Sequence, residues 1–264
     1  MKQNDNKINR RNFFKTIGAA GIGSVFASAK SSADSNEPNM PPKPKESEYP
    51  QVPRRKLGKT GVDVPCLSLG LMFNAVENQI MLKNALKWGV NYWDTANGYA
   101  GGNSELGIGK FFSKNPDVRK DLFIVSKAKT KSIAEVEKML ATSFERMNTD
   151  YIDLYFGVHG LSDPAELTDE LRQWVENAKK KKLIRYFGFS THKNMAQALA
   201  AAAKLGWVDA IMTTYNFRLT QDAQMQDAIE ACNKAGVGLV AMKTIALSSK
   251  ERKLLEAGGS IGTE

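Results

Sequence analysis

Cysteine is scarce in this chain: 264 residues hold two, Cys66 and Cys232. They stand in no metal-ligand spacing, so they point to no thiolate metal site, and two free, buried thiols are expected. Histidine is just as scarce, with two. Long hydrophobic runs are missing too. The mildly apolar, Gly/Ala-rich stretch Ile17–Ala29 falls short of the ~20 residues that span a bilayer. A concentrated basic surface is also lacking, although the formal net charge is +9. Residues 1–33 carry six basic groups and one acid, leaving +4 for the rest, scattered over helix faces. The run Lys179-Lys-Lys-Lys182 ends a predicted helix, where cations suit the dipole and solvation. Nucleic acid is therefore not an expected partner.

The first residues read as an address. Arg10-Arg-Asn-Phe-Phe-Lys15 precedes the apolar stretch, and Ala27-Ser-Ala29 supplies an A-x-A cleavage site. The arginine pair followed by two phenylalanines and a lysine resembles a twin-arginine export signal. That resemblance implies a signal peptide over 1–29, passage through the twin-arginine machinery, and a periplasmic or envelope location with no membrane anchor after cleavage. Residues 30–52 are rich in Ser, Pro, Asn and charge and are expected to be a disordered or extended linker.

From Val64 onward, apolar runs alternate with amphipathic stretches, the pattern of a parallel sheet covered by helices. Strands are predicted at 65–72, 91–95, 122–127, 151–158, 184–190, 209–215 and 237–242. Ser132-Ile-Ala-Glu135 predicts a capping box, followed by Ile133, Val136, Leu140, Phe144 and Met147 at helical spacing. Asp163-Pro-Ala-Glu166 predicts a second helix start, with Leu167, Leu171, Trp174 and Ala178 facing inward. The expected class is α/β, a TIM (β/α)8 barrel over residues 53–264. Seven strands are countable where closure needs eight, so the barrel is expected to lack its eighth βα unit, as in a fragment.

Three strands end on residues able to do chemistry. Val90-Asn-Tyr-Trp93 runs into Asp94, with Tyr99 one short loop further; Leu122–Lys127 ends on a lysine; Tyr151–His159 ends on a histidine. The C-terminal ends of strands are where an α/β barrel keeps its active site. Together with Arg54-Arg-Lys-Leu-Gly-Lys-Thr-Gly61, which resembles an opening hairpin that closes a barrel floor, these residues make the chain similar to the aldo-keto reductases from about Pro53 onward. Asp94, Tyr99, Lys127 and His159 fall on that family's catalytic tetrad in order and near its spacing.

The resemblance implies an NADP-dependent reductase of a small-molecule carbonyl compound, with NAD as the other cofactor. Tyr99 would be the general acid, Lys127 would draw its pKa down from ~10, Asp94 would hold Lys127, and His159 would orient the substrate oxygen. It also implies nicotinamide contacts from Ser190 and Thr191, stacking by Met242, and pyrophosphate contacts from Lys243 and Thr244. Met212 stands where the family brings a glutamine, a departure that bears on cofactor affinity. No metal site is expected. Two other readings stay open: a nicotinamide-nucleotide-binding sensor or partner subunit, and an inactive barrel fragment.

Overall fold

Arg54–Lys56 (β1) and Asp63–Pro65 (β2) pair antiparallel in a hairpin, with Arg55 opposite Val64. Its turn seals one end of a larger sheet. Lys59 N donates to Gly236 O at 2.6 Å, Tyr186 Oη donates to Thr60 O at 3.0 Å, and Leu57 is buried. Gly58 shows why the turn needs glycine. Its φ is +51°, and a Cβ there would stand 2.4 Å from Gly236 O. The structure, a computed structural model, describes residues 48–130 and 132–244. The expected signal peptide, most of the linker and the region expected to lack an eighth βα unit lie outside the described residues. Residues 48–52, where the expected linker ends, run beside the first helix: Val52 N donates to Trp88 O at 2.9 Å.

The main sheet is parallel and sequential. It runs Leu69–Gly70 (β3), Tyr92–Asp94 (β4), Phe123–Lys127 (β5), Ile152–Leu161 (β6), Ile184–Thr191 (β7), Ala210–Thr214 (β8) and Gly238–Met242 (β9). Helices cross between neighbours: Gln79–Lys87 (α1), Asn103–Lys114 (α2), Ile133–Met147 (α3), Asp169–Lys180 (α4), Met195–Leu205 (α5) and Ala223–Lys234 (α6). This is the curled α/β sheet of a TIM-type barrel. The first predicted strand, 65–72, is shortened to two sheet residues, because Asp63–Pro65 is taken by the hairpin and Cys66 N bonds Pro53 O instead.

The strands between the two edges, β4 to β8, are buried on both faces over most of their length, which explains why they read as continuous apolar runs rather than alternations. Tyr92, Phe123, Val125, Leu154, Phe156 and Met212 fill the interior, capped from below by Leu57 and Val64. Trp93, Ile124, Tyr155, Phe187 and Phe189 point outward under the helices. Phe156 is interior core, while Trp207 stacks on Phe187 at 5.5 Å between centroids.

Two helix starts differ from the sequence pattern. Ser132 N-caps α3 without a side-chain bond, so no capping box forms. Glu135 instead accepts a hydrogen bond from Thr130 Oγ1, which itself accepts from Ser132 N. Asp163 and Glu166 do form a capping box, but around a single 3-10 turn, Pro164–Glu166. Helix α4 begins afterwards, capped by Thr168, whose side chain accepts from Leu171 N.

Candidate active site

Asp94, Lys127 and His159 stand at the C-terminal ends of β4, β5 and β6, on three adjacent strands. Asp94 and Lys127 are buried, and Lys127 Nζ donates to Asp94 Oδ1 at 2.5 Å and to Thr95 O at 2.7 Å. Tyr99 follows β4 in a 3-10 turn, Tyr99–Gly102. Its ring lies under Lys127 Nζ at 4.8 Å and meets the His159 ring edge-on at 6.1 Å. Tyr99, Lys127 and His159 line one cleft of about 220 Å³ with Ala96, Asn97, Gly98, Lys129 and Met139.

His159 reaches this cleft only because β6 is irregular. Leu154 and Phe156 point into the barrel and Tyr155 outward. Strict alternation would turn Val158 inward and His159 toward the helices. The pairing with β7 slips between Phe156 and Val158 and again between His159 and Leu161. Val158 therefore packs in the outer layer and His159 faces the cleft. A bulge of this kind re-aims a side chain beside a site.

Burial dominates the electrostatics. It pushes Asp94 above the usual carboxylate range and Lys127 below the usual lysine range, and each partner's charge opposes the other's shift. Burial and then Asp94 push the Tyr99 hydroxyl up to about 12. The net shift is thus opposite to the lowering expected from Lys127: burial and the Asp94 charge outweigh the ammonium over the ring. The ammonium is committed to Asp94 and Thr95, and among the described residues no hydrogen bond joins it to the phenol. The His159 imidazole is pushed down to about 4 by burial, Lys127, His192 and Lys129. It is therefore neutral at physiological pH and still able to donate one hydrogen bond.

A second layer holds the Tyr99 loop, and sequence reasoning missed it. Glu105 on α2 is wholly buried and accepts from Ser126 Oγ at 2.7 Å, Ser143 Oγ at 2.6 Å and Arg146 Nη1 at 3.3 Å. Ser126 immediately precedes Lys127. Arg146 Nη1 also donates to Asn97 O at 2.7 Å, two residues before Tyr99. Gly102, at φ +96°, lies against the guanidinium, where a Cβ would stand 2.8 Å from its carbon. The available signal was Glu105 itself, at i, i+3 and i+7 with Ile108 and Phe112 on the buried face of α2. Replacing Arg146 with Ala should slow turnover about tenfold and cost about 2–3 kcal/mol in unfolding free energy, since Glu105 loses a charged partner. Arg146→Lys should recover little, because lysine lacks the guanidinium fork. Steady-state kinetics and chemical denaturation check both.

At the ends of β7 to β9 the donor set fits a nicotinamide nucleotide in part. Ser190 Oγ accepts from Gly160 N at 3.1 Å, which leaves its O–H free to donate to a carboxamide. Thr191 is fully buried, with its hydroxyl 2.8 Å from both Leu161 O and Lys193 O. Met242 packs with the interior cluster beside Met212 and offers apolar surface only. Lys243 is exposed, holds a left-handed φ of 55°, and helps burial push His192 down. Thr244 lines a cavity with Tyr92, Leu239 and hairpin residues. Among the described residues, no group of three or more His, Cys, Asp or Glu side chains could hold a metal ion. Nor is any described helix long and apolar enough to cross a membrane.

Residues 67–259 match the family model described as "Aldo/keto reductase family". The chain is 30% identical over 211 residues to the aldo-keto reductase yakc of Schizosaccharomyces pombe, named for NADP(+), covering 72% of this chain and 60% of that one. It thus spans less than two thirds of that relative's length. A putative aldo-keto reductase from Pseudomonas aeruginosa superposes with a TM-score of 0.62 at 27% identity, covering 75% of this chain and 79% of that one. An aldo-keto reductase of Bacillus halodurans in its holo form, 24% identical, superposes with a TM-score of 0.63 over 81% of this chain and 78% of that one, a likeness of fold.

Proposed function

Because the chain belongs to the aldo/keto reductase family, we propose that it reduces an aldehyde or ketone to the alcohol with NADPH, Tyr99 giving the proton. The observation that carries this reading is the buried Lys127–Asp94 pair, 2.5 Å long, placed over the Tyr99 ring at the wall of a cleft shared with His159. The name of the S. pombe relative supports NADPH as the donor.

A bound nicotinamide would supply hydride to the carbonyl carbon. Among the residues present, Ser190 would hold its carboxamide, Met242 would give its ring apolar surface and Lys243 would meet its phosphates. His159, neutral, donates to the carbonyl oxygen and fixes its direction. Tyr99 then protonates the oxygen as charge develops there. A hydroxyl raised to about 12 is still a stronger acid than an aliphatic alcohol, whose acidity resembles that of water, so the transfer runs downhill. Lys127, 4.8 Å above the ring, stabilises the phenolate that forms. Asp94 keeps that ammonium in place.

Consumption of NADPH by the purified protein, measured against a panel of aldehydes and ketones, tests the proposal. The rate should depend on the carbonyl compound and exceed that with NADH. His159 should cause no acid limb until the pH falls toward about 4. A limb near 6.5 would mean that the imidazole titrates at its ordinary value. Absence of carbonyl-dependent consumption with either nucleotide would refute the function itself.

A further inference from the structure

Lys129 is the one charged side chain of the cleft lining to which the chemistry above gives no task. It stands two residues beyond Lys127 and lines the same cleft as Tyr99 and His159. We propose that the compound reduced at this site carries a carboxylate, bound by Lys129 while its carbonyl lies against Tyr99 and His159. This rests on the reductase reading above.

Charge balance supports it. Lys127 is already neutralised by Asp94, and no acidic side chain lines the cleft. Glu135, on the first turn of α3, is bonded to Thr130. Lys129 itself has no hydrogen bond or ion pair among the described residues, so one positive charge in the cleft goes unanswered. An exposed lysine is ordinarily a solvated surface charge. Here its field reaches the His159 imidazole, which it helps to keep neutral. The charge thus stands close to where the carbonyl oxygen must bind. A single unpaired ammonium with no guanidinium in the lining suits a singly charged carboxylate better than a phosphate, which draws several donors. The cleft, about 220 Å³, lies below the range typical of drug-sized ligands and suits a small acid.

The test uses the full chain and matched pairs in which a carboxylate is replaced by its uncharged amide: 4-carboxybenzaldehyde against 4-formylbenzamide, and pyruvate against pyruvamide. In at least one pair the wild-type protein should favour the acid about tenfold in kcat/KM, the difference lying in KM, as one partly desolvated ion pair would give. In Lys129→Gln the ratio should fall to about one. Reduction of the amides with no preference for the acids, or a preference that Lys129→Gln leaves untouched, would overturn the carboxylate and spare the reductase. A protein that reduces no member of either pair and no panel carbonyl overturns both.

Discussion

Substituting Phe for Tyr99 should lower kcat about a thousandfold, the middle of the range for removing a positioned general acid, while leaving NADPH affinity within about twofold. The substitution is gentle for the fold. The ring is half-buried against Lys127 and His159, and Phe preserves both contacts. Among the described residues the hydroxyl makes no hydrogen bond, so its loss leaves no partner unsatisfied. A fall in turnover without a fall in melting temperature therefore reports chemistry rather than folding. Nucleotide binding, followed by quenching of tryptophan fluorescence, separates the enzyme from a nucleotide-binding sensor. A sensor would bind as well and lose nothing measurable in carbonyl reduction. Turnover by Tyr99→Phe at the wild-type rate would remove Tyr99 from the mechanism.

The hydroxyl's raised pKa bears on direction as well. A donor at about 12 stays protonated across the physiological range, ready to reduce. Alcohol oxidation needs the phenolate first, and burial beside Asp94 works against that form. The same sign holds for stability. An unfolded tyrosine titrates near 10, so the protonated phenol's contribution is complete below that pH and lost as pH rises toward 12.

Much of this was legible in the sequence because parallel barrels print their strands as apolar runs. Leu122–Val125 reads as a strand since both its faces are covered, Phe123 and Val125 by the interior and Ile124 by helices. Asp94, Lys127 and His159 could be named as candidates because each follows an apolar run, while Tyr99 and the grouping of the four came from the family resemblance. What the sequence hid depends on local slips and on distant partners. The inward turn of His159 requires a bulge at Gly157, and a register shift leaves no mark in an alternation that is apolar on both faces. The Ser132–Glu135 pattern resembled a capping box, yet the Thr130 hydroxyl competed for Glu135 and won. Arg146 and Asn97 are 49 residues apart. No local pattern predicts that such a pair will meet. Lys129 sat among three lysines within five residues, where composition favours solvent; its place in the cleft follows only from how the end of β5 abuts the Tyr99 loop.

Removing Lys127 should have the largest effect on both activity and stability, and the two effects can be separated. Asp94 Oδ1 accepts from Lys127, while Asp94 Oδ2 has no partner among the described residues. The carboxylate thus owes its compensation to one ammonium. In Lys127→Met it is left buried and unpaired, at a cost of about 3–5 kcal/mol or the uptake of a proton. Adding Asp94→Asn removes the stranded charge, so the double variant should recover most of the lost melting temperature. It should recover none of the activity, which falls at least about a thousandfold in both, because no cation remains to stabilise the Tyr99 phenolate. Thermal unfolding and single-turnover kinetics on the four proteins of this cycle decide the matter. If the double variant is as unstable as Lys127→Met, the instability comes from lost packing around the lysine stem rather than from Asp94. If it regains turnover, the pair serves the fold and Tyr99 works without it.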